Sequence, residues 1–317
     1  MITSLKRKSH LWTIFVWISQ IFFLYSNDAH SFSSIYQIHY AGLDLSQTNT
    51  NSSTIIFLGG FPDTSQTWSP LVPAFQSHYH IVTLALPDYE ADSLKSFWGY
   101  SIEQMVDGLA QIAQHYKNHG SSVYLVGHDW GAHICLCLID SYSRMKIVDK
   151  VVLLDVGLRS QRDVLMDLTS LSYMSYLAFV FLVSRVSATM ATGLARLYPW
   201  NIIGPCRHST DLEYAENNFS NIKGFMTYPY FRVLFSITPQ FQSEIPQLFL
   251  YGSEKATMFH SEEYLKLLEG TSLSLFRRME NCGHWCHWTK SQEVIKEITS
   301  FLGTAIIENN HVTCAYS

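Results

Sequence analysis

The chain has 317 residues, 47% of them hydrophobic and 15% charged, as suits one large globular domain carrying an insertion. The formal net charge is -5 and no Lys/Arg run occurs beyond the N-terminus, which excludes nucleic acid as a partner, because phosphate binding needs a basic surface. No repeat with a period of tens of residues is visible, and the low-complexity stretch is the polar loop 46–54.

At the N-terminus, Lys6, Arg7 and Lys8 precede the apolar run 11–25, matching the charged and hydrophobic regions of a secretory signal peptide or a membrane anchor. The run is short for a full span, which takes about twenty residues. Ala29-His30-Ser31 offers only a partial small-residue cleavage site, so cleaved signal and membrane-associated anchor both stand for residues 1–31. In either case the basic flank stays cytoplasmic and the remainder faces the lumen or exterior, as an endomembrane or secreted protein. Asn51-Ser52-Ser53 and Asn218-Phe219-Ser220 are glycosylation sequons compatible with that side.

The first buried strand is expected at 55–58, running into Gly59-Gly60-Phe61-Pro62, and the next at 81–86, ending at Pro87-Asp88. A helix over 101–116 follows, with Ile102, Met105, Val106, Leu109, Ile112 and Ala113 on one face. Then comes a strand at 122–126, the turn Gly127-His128-Asp129-Trp130-Gly131, and a helix over 131–142. Strand, glycine-flanked turn and helix form the nucleophile-elbow pattern G-x-S-x-G, with Asp129 where the serine belongs. An aspartate is already ionised at neutral pH, so it can attack an electrophilic carbon without a base.

A strand at 151–154 leads to Asp155, and a long interruption precedes the strand at 247–251, which leads to Glu254. A helix near 262–268, a strand at 272–276, the loop carrying His284 and a closing helix over 292–302 complete the pattern. Alternating strands and helices predict a mostly parallel sheet covered on both faces, with Phe61, Asp129, Asp155, Glu254 and His284 all beyond strand ends, where ligands bind in such sheets. Cys135 and Cys137 read as small buried thiols. Cys282-x-His284-x-Cys286 lacks a second ligand pair, so neither metal nor cofactor is expected.

Gly60-Phe61-Pro62-Asp63 with Trp68, the run Gly-His-Asp-Trp-Gly-Ala at 127–132, and Cys-Gly-His-Trp at 282–285 resemble the α/β-hydrolase superfamily, in its epoxide hydrolase and haloalkane or haloacid dehalogenase branch. The resemblance covers 33–303 and implies an α/β-hydrolase fold with core segments 32–156 and 241–303, a helical lid at 157–240 and a tail at 304–317. Two departures stand out: Gly59 replaces the usual His of the His-Gly-x-Pro segment, and Asp88-Tyr89-Glu90 replaces the more usual Gly-Tyr-Gly.

The resemblance implies an alkyl-enzyme ester on Asp129, hydrolysed by water that His284 activates, its oxyanion held by the N–H groups of Phe61 and Trp130. An acid must orient the histidine; Asp155 is preferred, in a setting like that of haloacid dehalogenases, with Glu254 as the alternative. His128 and His287 are expected to be packing residues. An epoxide leaves as an alkoxide and needs an acid, for which Tyr228 and Tyr230 of the lid are the candidates. The apolar run 171–182 is expected to line a pocket for a lipophilic small molecule. Haloalkane dehalogenases carry an Asn where Phe61 stands, and fluoroacetate-type enzymes carry arginines where Trp130 and His133 stand. Their lack favours epoxide hydrolysis over dehalogenation, with a non-hydrolytic or inactive ligand-binding homologue as the third reading.

Overall fold

In a computed structural model, the structure describes residues 35–43, 53–159, 167–200, 212–236, 244–255, 257–271 and 273–303. The expected N-terminal segment 1–31, the tail 304–317 and the sequon at Asn51 lie outside them. In chain order the main elements are β1 (Ile38–Gly42), β2 (Thr54–Leu58), α1 (Val72–Phe75), β3 (His80–Leu84), α2 (Ile102–Asn118), β4 (Val123–His128), α3 (Trp130–Ser141) and β5 (Lys150–Leu154). The helices α4 (Leu168–Ser184), α5 (Ala188–Leu197), α6 (Leu212–Ser220) and α7 (Tyr228–Arg232) form the insertion. The chain continues with β6 (Gln247–Gly252), α8 (Glu262–Glu269), β7 (Leu275–Met279), α9 (Cys286–Thr289) and α10 (Ser291–Leu302).

The seven strands make one sheet in the order β1-β3-β2-β4-β5-β6-β7. Among the described strands only the β1–β3 pair is antiparallel; every other pair is parallel. Buried on both faces, the central strands read as continuous apolar runs, and their side chains part with period two. Ile56, Leu58, Leu125, Val151, Leu153 and Phe249 meet Met105 and Leu109 of α2, Ile134 and Leu138 of α3, and Leu177 of α4. Ile55, Phe57, Val126, Val152, Leu154 and Leu250 face Trp68, Phe75 and Val294, Ile298 and Leu302 of α10.

Helix α2 begins with a capping box: Ser101 Oγ accepts from Gln104 N–H and Gln104 Oε1 accepts from Ser101 N–H. Helix α4 begins at Asp167, whose carboxylate accepts the N–H groups of Thr169 and Ser170. It contains the whole apolar run 171–182 and buries Tyr173, Leu177, Val180 and Phe181 while Phe179 and Leu182 stay exposed. No helix among the described residues is long and apolar enough to cross a membrane.

The turn after β4 is among the tightest junctions. Asp129 holds φ 53° and ψ -122°, and α3 starts at the next residue. A Cβ on Gly131 would lie 2.0 Å from the carbonyl oxygen of Leu58, so the first turn of α3 runs against the end of β2 with no room for any side chain. In contrast, a Cβ on Gly193 in α5 would meet nothing within 4 Å. We therefore expect Gly131→Ala to lower stability by about 3 kcal/mol or more, since the obstacle is backbone, and Gly193→Ala to raise it by about 0.5–1 kcal/mol through helix propensity. Urea melts of the two variants check both signs.

Candidate active site

The loops beyond β2, β4, β5, β6 and β7 converge at one end of the sheet. Asp129 Oδ2 accepts the N–H of Phe61 at 2.8 Å, and the backbone of Trp130 supplies a second hydrogen bond to the same side chain. Phe61 precedes Pro62 through a cis peptide bond. The other carboxylate oxygen, Oδ1, lies 3.7 Å from His284 Nε2. Burial raises the Asp129 carboxyl above its ordinary value, while His284, His128 and the two N–H groups pull it back.

His284 Nδ1 is 2.5 Å from Asp155 Oδ2. The other oxygen, Oδ1, accepts from Gly252 N–H at 3.1 Å and from Lys255 Nζ at 2.5 Å. Of the two acids expected to orient the histidine, Asp155 is thus the one at its ring. Glu254 instead gives its backbone N–H to Cys282 O at 2.8 Å, pinning the loop after β6 to the histidine loop. Burial works to raise the Asp155 carboxyl, but the Lys255 ammonium and then His284 hold it well below the usual carboxylate range. For His284, burial works to lower the imidazole, yet Asp155 and then Asp129 raise it overall, with Lys255 acting against them.

A second buried carboxylate locks the frame. Asp63 accepts Trp285 Nε1 at 3.1 and 3.0 Å and Asn218 Nδ2 at 2.9 Å, and lies 3.3 Å from His128 Nδ1. His128 Nε2 faces the carbonyl oxygen of His284 at 3.1 Å, as a donor once the tautomer is assigned from that contact. His287 Nε2 bonds to Thr67 Oγ1 at 2.8 Å, and its ring packs on Trp68 and His128. Asp63, His128 and His287 have the residue types of a metal site; in this structure both Asp63 oxygens accept from protein donors, which clamp the loops together. The Asn218 amide belongs to this clamp, which a glycan on that nitrogen would break.

The sequence departures are structural. Asp88 Oδ2 accepts Tyr100 OH and Lys95 N–H, each at 2.8 Å, and Glu90 bridges Ser65 N–H and His39 Nε2. A Cβ on Gly59 would sit 3.4 Å from Cγ2 of Thr67, whose hydroxyl bonds to His287 Nε2.

The two tyrosines expected above the aspartate part company. Tyr230 stands edge-on to Phe61 and Trp130, the two residues whose N–H groups hold Asp129, at 5.2 and 5.1 Å between ring centroids. Tyr228 is fully buried and gives its hydroxyl to Pro87 O at 3.2 Å, packed between Tyr89 and Tyr100. Pro229 starts α7 and the helical turn sends neighbouring residues to different faces. The partner that sequence reasoning missed is Tyr173 of α4, at 5.9 Å from the Tyr230 ring and 6.5 Å from Phe259, which itself packs on His284. Burial and then the Asp129 charge raise the Tyr173 hydroxyl well above its ordinary value. Tyr173 lay within the run read as pocket lining, and only the absence of helical register relative to the elbow hid it.

Comparison with known proteins fits this geometry. Residues 55–297 match the model of the alpha/beta hydrolase family. Epoxide hydrolase 3 of Mus musculus is 31% identical over 103 residues, spanning 32% of this chain and 26% of that protein. Among solved structures, an epoxide hydrolase of Bacillus megaterium with a bound inhibitor superposes with a TM-score of 0.60 at 19% identity, covering 86% of this chain and 99% of that one. MenH from S. aureus gives 0.60 at 17% identity over 86% and 98%, and a marine microorganism esterase gives 0.61 at 13% over 85% and 100%. Likeness at such low identity establishes the fold; the family model spans most of the chain, which belongs to the alpha/beta hydrolase family.

Proposed function

We propose that the protein is a hydrolase that opens an epoxide on a lipophilic small molecule through a covalent ester on Asp129. The observation that carries this reading is the asymmetric Asp129 carboxylate: Oδ2 accepts the Phe61 N–H, the backbone of Trp130 bonds to the same side chain, and Oδ1 is turned towards His284. Oδ1 attacks an epoxide carbon, the carbon–oxygen bond breaks, and the alkoxide takes a proton from Tyr230 or Tyr173. His284 Nε2 then removes a proton from water, whose oxygen attacks the ester carbonyl carbon. The charge that develops on Oδ2 is met by the same two N–H groups. Collapse releases the diol and restores the carboxylate, and the proton on His284 returns to the tyrosinate.

Asp155 holds the imidazole in the tautomer this step needs and stabilises its cation. The rings of Phe61, Trp130, Tyr173, Tyr230 and Phe259 support a lipophilic substrate, and α4 with α7 acts as its lid. The basic residues at 6–8 and the apolar run 11–25 support delivery to the endomembrane system, with this site lumenal or extracellular.

His284→Gln keeps the nucleophile and removes the base. Offered epoxides, haloacids and esters in turn, it is expected to accumulate a mass increment on the Asp129 peptide from epoxides alone. An increment from haloacids alone would make the protein a dehalogenase, and none from any class would make it a binding homologue.

The tyrosine assignments separate in single-turnover kinetics. Tyr173→Phe together with Tyr230→Phe should slow ester formation by about 100-fold or more, as loss of a general acid does. Tyr228→Phe should leave that rate within about threefold and cost about 1 kcal/mol of stability for its lost hydrogen bond.

Asp155→Asn tests the acid through stability. It strands Lys255 as a buried charge, at about 3–5 kcal/mol near neutral pH. The folded Asp155 carboxyl is depressed, so its contribution is present above the unfolded carboxylate value and is lost as pH falls through the folded one. The melting gap between wild type and Asp155→Asn should therefore narrow below about pH 4.

A further inference from the structure

Lys255 has no place in the mechanism above, yet it is one of the most deeply placed charges in the protein. It is 8% exposed as a residue, and its side chain and that of Asp155 are fully buried where they meet at 2.5 Å. The loop that carries it is built for close approach. A Cβ on Gly252 would fall 1.9 Å from Gly283 O, Gly252 N–H binds Asp155 Oδ1, and Glu254 N–H binds Cys282 O. The ammonium also sits 5.3 Å from the centre of the Phe259 ring, which packs on His284 at 5.6 Å.

Four charge-bearing groups therefore lie in line: Asp129, His284, Asp155 and Lys255, with separations of 3.7, 2.5 and 2.5 Å. Two carboxylates flanking one imidazole favour its cation, and a cation cannot take a proton from water. Two other histidines near the ring are kept neutral. Burial drives His287 well below its ordinary value and pushes His260 down to about 4. The Cys286 thiol is raised by its contact with Cys282 and by burial, and so stays neutral. His128, with its ring 4.6 Å away, is turned towards Asp63 and the His284 carbonyl. Arg159 spends its guanidinium on Asp167 and Ser170. Lys255 is the cation that touches the carboxylate holding the histidine.

We propose that Lys255 is a positioning residue that shares Asp155 with His284 and, by offsetting the carboxylate's charge, leaves the imidazole able to take a proton from water at neutral pH. Asp155 then orients the ring without trapping it as imidazolium. The effect matters most once Asp129 is esterified, because Asp155 is then the carboxylate left beside the ring and Lys255 makes that pair neutral. The inference rests on the role given to His284 above.

The test reads the histidine directly. The His284 Cε1–H resonance, identified by its loss in His284→Gln, is titrated in wild type, Lys255→Met, Lys255→Gln and Lys255→Arg without any substrate. Lys255→Gln keeps a hydrogen-bond donor and removes the charge. Both neutral variants should titrate higher than wild type by on the order of one pH unit, and Lys255→Arg within about 0.3 unit of it. In single turnover, the acid limb of ester hydrolysis should move up by the same amount. An unchanged midpoint in the neutral variants would overturn the proposal. So would a wild-type midpoint in Lys255→Gln alone, which would make the hydrogen bond rather than the charge decisive, or failure of both neutral variants to fold. If the midpoints shift while no substrate class esterifies Asp129, the reaction assigned above fails and the electrostatic coupling stands.

Discussion

The site depends on how closely the first turn of α3 passes the end of β2. With no Cβ at Gly131, the helix settles against the Leu58 carbonyl, and the chain between β4 and α3 is forced through Asp129 at a positive φ. That backbone conformation is uncommon for a residue with a side chain and persists where its surroundings enforce it. Here it lifts the carboxylate out of the sheet and towards the Phe61 and Trp130 N–H groups. The same closeness brings the segment after β2 alongside the elbow, so the place of the Asp129 carboxylate and that of the N–H groups facing it follow from one packing constraint.

Around that point the protein manages an unusual density of buried charge. An isolated buried carboxylate would simply take up a proton, so each one here is given donors. Asp129 has two backbone N–H groups and a nearby histidine; Asp155 has His284, Gly252 N–H and Lys255; Asp63 has the Trp285 indole and the Asn218 amide. The three carboxylates come from segments following β4, β5 and β2. Their donors come from the segments following β2, β4, β6 and β7, from the last residue of β6 and from α6. The hydrogen bonds that supply the buried acids with donors are therefore also the ones that tie the loops together.

Much of the frame was legible in the sequence because the parallel strands are buried on both faces. Thr54–Leu58, Lys150–Leu154 and Gln247–Gly252 read as apolar runs, and each lies within a residue or so of its expected place. The edges were not legible for the converse reason. Strand β1 is half exposed and has no run, while β7 carries Arg277 and Arg278 on its exposed edge, so the apolar pattern placed it at 272–276 rather than at Leu275–Met279. In the site, Asp129, His284 and Asp155 could be found because each follows a strand at a position where the chemistry demands its residue type. Tyr173 and Lys255 could not. One lies on a helix whose apolar character hides its register, and the other stands beside Glu254 with nothing in the local sequence that points it to Asp155.

By itself, then, the sequence determined the strand–turn–helix that presents an aspartate, the loop that carries the histidine and the family those imply, because local spacing and residue type suffice for them. Tertiary structure alone decided which tyrosine ring packs on Phe61 and Trp130, which acid meets the histidine and that a lysine shares that acid. Those are contacts between segments as far apart as residues 155 and 255, and their geometry exists only once the sheet brings the strand ends together.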